Sequence, residues 1–364
     1  MTVAIGHCAE LRRRGHDVLL SAGWQGSGAP PTQLEGVPAR LWPSRSVLPG
    51  YRHASLYSVD MHHWIRKHAK DFDVAHLHLA RDLVPLIAAS ALRRAGTPYV
   101  VQTHGMIRPD GRLTARLIDL GLTLPALDGA THLLSLTPAE DDDLVRVTRG
   151  KRSPLRLRNG IAVNQRHVRR APDETAGLLD ILFMARLHPR KRVMTFARAA
   201  AALIIEGVPA RFSIVGPDEG DLPLVMELLA EHPAIGRRLT YEGALDHEAA
   251  IARLRMADVY VLPSVHEPYP MTVLEALAAG IPVVCTTSCG LSSSLDHEGA
   301  AEVVDPAEDE IVRAIRHLIL DRDRRRELGK RALETAASTY SLSVVVDELE
   351  AMYADSEVIS ATSG

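Results

Sequence analysis

Short apolar runs alternate along this chain with longer stretches whose apolar positions recur every three or four residues. Runs of the first kind suit strands buried on both faces; the second pattern suits helices with one buried stripe. Strands are expected at Val18–Ala22, Asp73–His78, Pro98–Thr103 and Thr131–Leu136 in a first half. A second half repeats the pattern at Ile181–Met184, Arg211–Val215, Leu239–Glu242, Asp258–Ser264 and Pro282–Cys285. Such βα alternation predicts an α/β protein with parallel sheets and helices on both faces. Val3–Arg14 reads as an amphipathic helix closed by Gly15, and Met271–Ala279 as a helix closed by Gly280 with Pro282 soon after. Ser341–Ser356 reads as a last amphipathic helix, followed by a frayed Ser/Thr-rich tail.

A chain of 364 residues is expected to form two domains. The polar stretch Val163–Thr175 is the expected boundary, giving domains 1–165 and 166–340 and a terminal segment 341–364. With 46% apolar and 24% charged residues the composition is globular and excludes a disordered chain. No run reaches the ~18 apolar residues of a membrane span, and no signal peptide is visible. Cys8, Cys285 and Cys289 are too few for a disulfide framework and lack zinc spacing, so a cytoplasmic location is expected and Cys285-x3-Cys289 reads as incidental.

The chemistry concentrates in the second half. Asp258-Val-Tyr-Val-Leu-Pro-Ser264 is a buried strand that Pro263 ends, and the helix from Met271 follows. Glu267 therefore sits on the loop at a strand's C-terminal edge, and Glu275 in the second turn of the helix behind it. In open α/β sheets that edge binds ligands, and backbone N–H groups near Met271 and Thr272 can hold a diphosphate. Upstream, Arg186 and Lys191 follow the strand Ile181–Met184, and Gly216 follows Arg211–Val215 in Val215-Gly-Pro-Asp-Glu-Gly220. Two glutamates beside an amphipathic helix are common, and so is a solvated basic turn. The whole cassette, from buried strand through Glu-Pro-Tyr-Pro to Ala-Ala-Gly-Ile-Pro-Val-Val284, is far more particular.

That cassette resembles the retaining glycosyltransferases of the GT-B fold that carry an E-x7-E motif, glycosyltransferase family four. The resemblance implies two Rossmann-like doubly wound domains facing a central cleft, the first for the acceptor and the second for a nucleotide-sugar donor, with the last helix crossing back to the first. It implies a hexosyltransferase acting for polysaccharide, glycolipid or small-glycoside synthesis. Arg186 and Lys191 would hold the donor diphosphate, where fixed cations lower the barrier as the leaving group gains charge. Glu267 would contact the transferred sugar and Glu275 the ribose. Gly216, where backbone can approach a ligand closely, Tyr269, Pro270, Met271 and Thr272 complete the donor contacts. His104, at the end of the strand Pro98–Thr103, matches a family histidine beside the reacting sugar, and Arg158-Asn-Gly-Ile161 matches the turn before the interdomain linker. No cofactor and no metal is expected, the UDP- or GDP-sugar being a substrate. A GT-B nucleotide-sugar epimerase and a non-catalytic binding subunit are the alternatives. No Gly-x-Gly-x-x-Gly follows a strand, which speaks against a dinucleotide oxidoreductase.

Other clusters read more plainly. His76 and His78 share one strand face, with no third ligand evident from sequence. Asp141–Asp143 follow the capping box Thr137-Pro-Ala-Glu140 and are expected to be a solvated helix start. Nothing precedes Thr2 that could be the family's first strand and Gly-rich loop, which implies either a start upstream of this Met or a shortened form. Without that strand two inner sheet edges are expected to lack a partner. Residues 1–165 hold 21 Lys+Arg against 14 Asp+Glu, a formal +7, leaving −10 for the rest. A basic first domain suits a lipid-diphosphate or other anionic acceptor, with peripheral contact at the inner membrane face. Scattered solvated arginines explain the charge equally well, and no nucleic-acid motif is present.

Overall fold

The computed structural model describes residues 2–47, 55–163 and 177–363, the last seven by backbone alone. Chain order begins with α1 (Thr2–Arg13), β1 (Leu20–Trp24), β2 (Gln33–Leu34), β3 (Val37–Pro43), β4 (Arg45–Ser46) and β5 (Leu56–Tyr57). It continues with α2 (Val59–His68), β6 (Ala75–His78), α3 (Leu83–Ala95), β7 (Tyr99–Gln102), α4 (Leu113–Ile118) and α5 (Leu124–Asp128). Then come β8 (His132–Ser135), α6 (Pro138–Val147), β9 (Leu155–Arg156), β10 (Leu179–Met184), α7 (Val193–Ile205) and β11 (Ala210–Val215). Next are α8 (Leu222–Glu231), β12 (Leu239–Gly243), α9 (His247–Arg255), β13 (Val259–Leu262), α10 (Met271–Ala278) and β14 (Val283–Thr286). The chain ends with α11 (Ser292–Glu298), β15 (Glu302–Val304), α12 (Glu308–Leu320), α13 (Arg322–Ser338) and α14 (Leu342–Ser363).

These elements form two compact units, Met1–Gly160 with Leu342–Gly364, and Ile161–Ser341. The expected boundary stretch lies outside the described residues beyond Val163. α14 belongs to the first unit and runs to Ser363, past the expected end at Ser356.

The second unit is one six-stranded parallel sheet in the order β12-β11-β10-β13-β14-β15. β13 and β14 are buried at every position, as strands covered on both faces must be. On one face Phe183, Phe196 and Phe212 interlock, with ring centroids 5.6 and 6.1 Å apart, beside Leu203, Ile311 and Leu318. On the other face α10 lays Val273, Leu274 and Leu277 against Tyr260, Leu262 and Val283. Each such buried side chain contributes about 1.5–3 kcal/mol, so the central strands and their C-terminal ends are rigidly placed.

The first unit divides its strands among three sheets. β6-β7-β8-β9 are parallel, β1-β3-β2 form a second sheet with β1 parallel to β3, and β4-β5 form a short ladder. β1 and β6 are each the outer strand of their own sheet. Against β6 lies α1, whose His7 ring centroid is 6.0 Å from that of His76. β3 was not expected, because Pro38 and Pro43 interrupt it. Its Val37, Ala39 and Leu41 are nevertheless buried in alternation.

Candidate active site

In the second sheet β11, β10, β13 and β14 lie side by side, and the loops leaving their C-terminal ends carry most of the candidate residues. Arg186 follows β10 on a loop that tightens into a 3₁₀ turn, Pro189–Lys191. Glu267 lies on the loop after β13, and Cys289 on the loop after β14. These loops are stitched together by backbone. Val265 N donates to the Arg190 carbonyl (3.0 Å), and Gly290 N to that of Glu267 (2.8 Å). His266 N donates to Ser288 Oγ (2.7 Å).

The stitching brings Lys191 Nζ to 2.5 Å from Glu267 Oε2. The two residues are only 9% and 6% exposed. A buried ion pair gives weak net stability, because desolvation offsets its Coulomb gain. Its presence at a sheet edge points to function. Backbone strain agrees. Among the described residues five non-glycine residues have positive φ, and three are His104 itself, Arg192 beside Lys191 and His266 beside Glu267 (φ 50, 57 and 51°). Residues held in that region gather at functional sites.

α10 begins behind Glu267. Its N-cap is Pro270, which offers no side-chain acceptor to the first-turn amides. Tyr260 Oη donates to the Met184 carbonyl (3.0 Å) and lies 2.8 Å from Thr272 Oγ1, fixing the start of α10 to the end of β10. Glu275, one turn on, has its carboxyl pushed above the usual range by burial, only partly opposed by His247. Arg186 is half open to solvent and its Nη1 donates to both oxygens of Glu219 (2.8 and 2.9 Å).

His104 is in the first unit, just past β7. Its loop is fixed by Glu140, which is 5% exposed. The Glu140 carboxylate accepts from Thr103 Oγ1 (2.5 Å), Gly105 N (2.5 Å) and Leu136 N (2.7 Å). His104 Nε2 lies 2.6 Å from His78 Nδ1, and burial lowers the His104 pKa to about 4.

Comparison with known proteins now bears on this geometry. The family described as Glycosyl transferases group 1 matches residues 165–335, and the Glycosyl transferase 4-like domain matches residues 3–160. The D-inositol 3-phosphate glycosyltransferase of Geodermatophilus obscurus is 30% identical over 328 residues, covering 80% of this chain and 68% of that protein. This chain belongs to the group 1 glycosyltransferases. The α-D-kanosaminyltransferase of Streptomyces kanamyceticus is 27% identical over 174 residues, 48% of this chain and 45% of that one. Among solved structures, Anabaena HepE in complex with UDP and glucose superposes with a TM-score of 0.71 at 17% identity, over 97% of this chain and 95% of that one. Sucrose-phosphate synthase of Thermosynechococcus elongatus gives 0.71 at 17% identity, over 97% and 91%. The fold is GT-B.

In this glycosyltransferase the two units thus correspond to Rossmann-like domains, and several local expectations change. Gly216 (φ 145°) is required by packing alone. A Cβ there would meet the Ala185 carbonyl oxygen at 1.9 Å, so the β10 and β11 loops could not pass. The capping box closes on one side only. Thr137 Oγ1 accepts from Glu140 N (3.2 Å), but the Glu140 carboxylate turns to Leu136 and the His104 loop instead. Asp141 is no freely solvated helix-start charge, since it accepts from Ser135 Oγ and from Arg156 Nε (2.8 Å). Cys285 and Cys289 are partnered, the hydrogen bond between their thiols raising the first pKa and lowering the second. His76 and His78 do have a third imidazole beside them, His7 of α1. Local spacing did not single out Glu140 or His7. The capping spacing fully accounted for the glutamate, and no spacing links residue 7 to residue 76. No helix among the described residues is long and apolar enough to cross a membrane.

Proposed function

We propose that this glycosyltransferase moves a hexosyl group from a nucleoside-diphosphate sugar to a hydroxyl acceptor with retention of anomeric configuration. The observation that carries the reading is the buried Lys191–Glu267 pair at the C-terminal edge of β10 and β13, with Arg186 on the same loop as the lysine. The leaving diphosphate gains negative charge as the C1–O bond breaks, and Lys191 and Arg186 stabilise it. Arg186 exchanges Glu219 for phosphate oxygens, and the uncapped start of α10 adds backbone donors. Glu267 contacts the sugar and Glu275 accepts from the ribose hydroxyls. No separate nucleophile stands among these residues. Front-face attack fits best: the acceptor oxygen bonds to C1 while its proton passes to the departing phosphate oxygen.

The acceptor belongs to the first domain, with His104 as its candidate contact. The positive charge of that domain suits an anionic acceptor, and the Geodermatophilus relative is named for an inositol phosphate. HepE holds UDP and glucose, which favours a UDP-sugar as the first donor to try.

The test is thermal shift over a panel of UDP- and GDP-sugars, followed by transfer assays with and without excess chelator. One donor class is expected to raise the melting temperature, and turnover to persist in chelator. Release of nucleoside diphosphate with no acceptor consumed would point to the epimerase alternative. Loss of turnover in chelator and rescue by Mn²⁺ would overturn the metal-independent mechanism.

A further inference from the structure

Three histidines of the first unit converge where β6 ends its sheet. His76 and His78, two apart on one face of β6, stack with ring centroids 4.6 Å apart at 12°. His7 of α1 lies over both, 6.0 and 6.2 Å away. Its residue is 2% exposed, and among the described residues neither of its ring nitrogens has a hydrogen-bond partner. His76 Nε2 is buried and, among the same residues, unpartnered as well. Buried polar atoms are rarely left so, and several orphans meeting at one point need a ligand to explain them.

We propose that His7, His76 and His78 form a binding site for a Zn²⁺-class divalent transition metal, one that clamps α1 to β6. One nitrogen from each ring lies within 4.8 Å of the others. A tetrahedral ion with Zn–N bonds of about 2.0–2.1 Å needs nitrogens roughly 3.4 Å apart. Rotation about χ2, which is soft for histidine, closes that difference. The outer hydrogen bonds choose the ligand atoms. His76 Nδ1 lies 2.8 Å from Tyr353 Oη, and His78 Nδ1 lies 2.6 Å from His104 Nε2, so each turns Nε2 to the ion. Such outer partners are what orient metal-binding imidazoles. The neighbouring Cys8 is not part of the cluster, whose close nitrogens come from the three histidines. Three imidazoles leave a fourth position for water. The site is independent of the transferase reading, which asks no metal of the donor chemistry.

The test uses untagged, chelator-stripped, full-length protein titrated with Co²⁺ under visible absorption and then with Zn²⁺. One Co²⁺ per chain is expected, with tetrahedral ligand-field bands that Zn²⁺ abolishes, and Zn²⁺ should raise the melting temperature. His7→Leu suits a buried apolar position and is expected to fold, yet to weaken Co²⁺ binding by about 100-fold or more. Tyr353→Phe leaves the ring in place and is expected to weaken it by about 10–100-fold. His297→Ala, at an exposed histidine, should change nothing. No tetrahedral band in the wild type would overturn the proposal and leave a buried water as the occupant. Equal affinity in both H7L and Y353F would overturn it too.

Discussion

Lys191→Ala removes one partner of a buried pair and so asks two questions at once. The ammonium is 2.5 Å from a carboxylate whose side chain is 7% exposed. Deleting it strands Glu267 without compensation, which costs about 3–5 kcal/mol. The second domain has the size at which 1 kcal/mol moves the melting temperature by about 2–4 °C, so a drop of roughly 6–20 °C is expected. Catalysis should fall separately, by about 10²–10³ in kcat, on the scale of removing one preorganised donor from a transition-state charge. The double change Lys191→Met with Glu267→Leu separates the two effects. Apolar side chains of similar size often replace a buried ion pair at no net cost, so stability should return while turnover stays lost. Melting curves and transfer rates on the wild type, the single and the double variant decide it. A double variant that recovers turnover along with stability, or a single variant that keeps normal turnover, would refute the assignment of this pair to the chemistry.

Glu275→Gln is expected to raise stability at neutral pH while weakening donor binding. Burial lifts the Glu275 pKa in the folded state, so the fold holds that proton over a window in which the unfolded chain has lost it. Stability then falls as pH rises through the window, and the variant should remove that slope in denaturation curves taken across pH. Glu140→Ala strands two donors at the His104 loop and a third at Leu136, each worth about 1–3 kcal/mol. A lower melting temperature is expected together with a lower kcat, and an unchanged kcat would separate that loop from the reaction. Gly216→Ala places a methyl against the Ala185 carbonyl at a backbone angle that side chains avoid. It should yield little folded protein, seen as loss of the cooperative melting transition.

Much of this protein could be read from sequence because parallel-sheet strands carry their own signature. Ile181–Met184 and the Val259–Leu262 part of Asp258–Ser264 are apolar without alternation, Arg211–Val215 carries Phe212, Ile214 and Val215 around Ser213, and each became a central strand to within two residues. The helix after Glu267 was equally legible, since Gly280 (φ 69°) and Pro282 punctuate its end. β3 was hidden because its two prolines mask an alternation that only packing reveals. Side-chain partnerships were hidden for a different reason. Lys191 meets Glu267 across 76 positions, and Glu140 reaches the His104 loop across 37. His7 meets His76 only because α1 folds over the outer strand of a sheet. Local spacing determined the elements and the loops that carry chemistry, since those depend on dihedral preference and burial along a few residues. Which charges pair and which imidazoles gather depends on strand order and loop stitching, and the tertiary structure alone decided that.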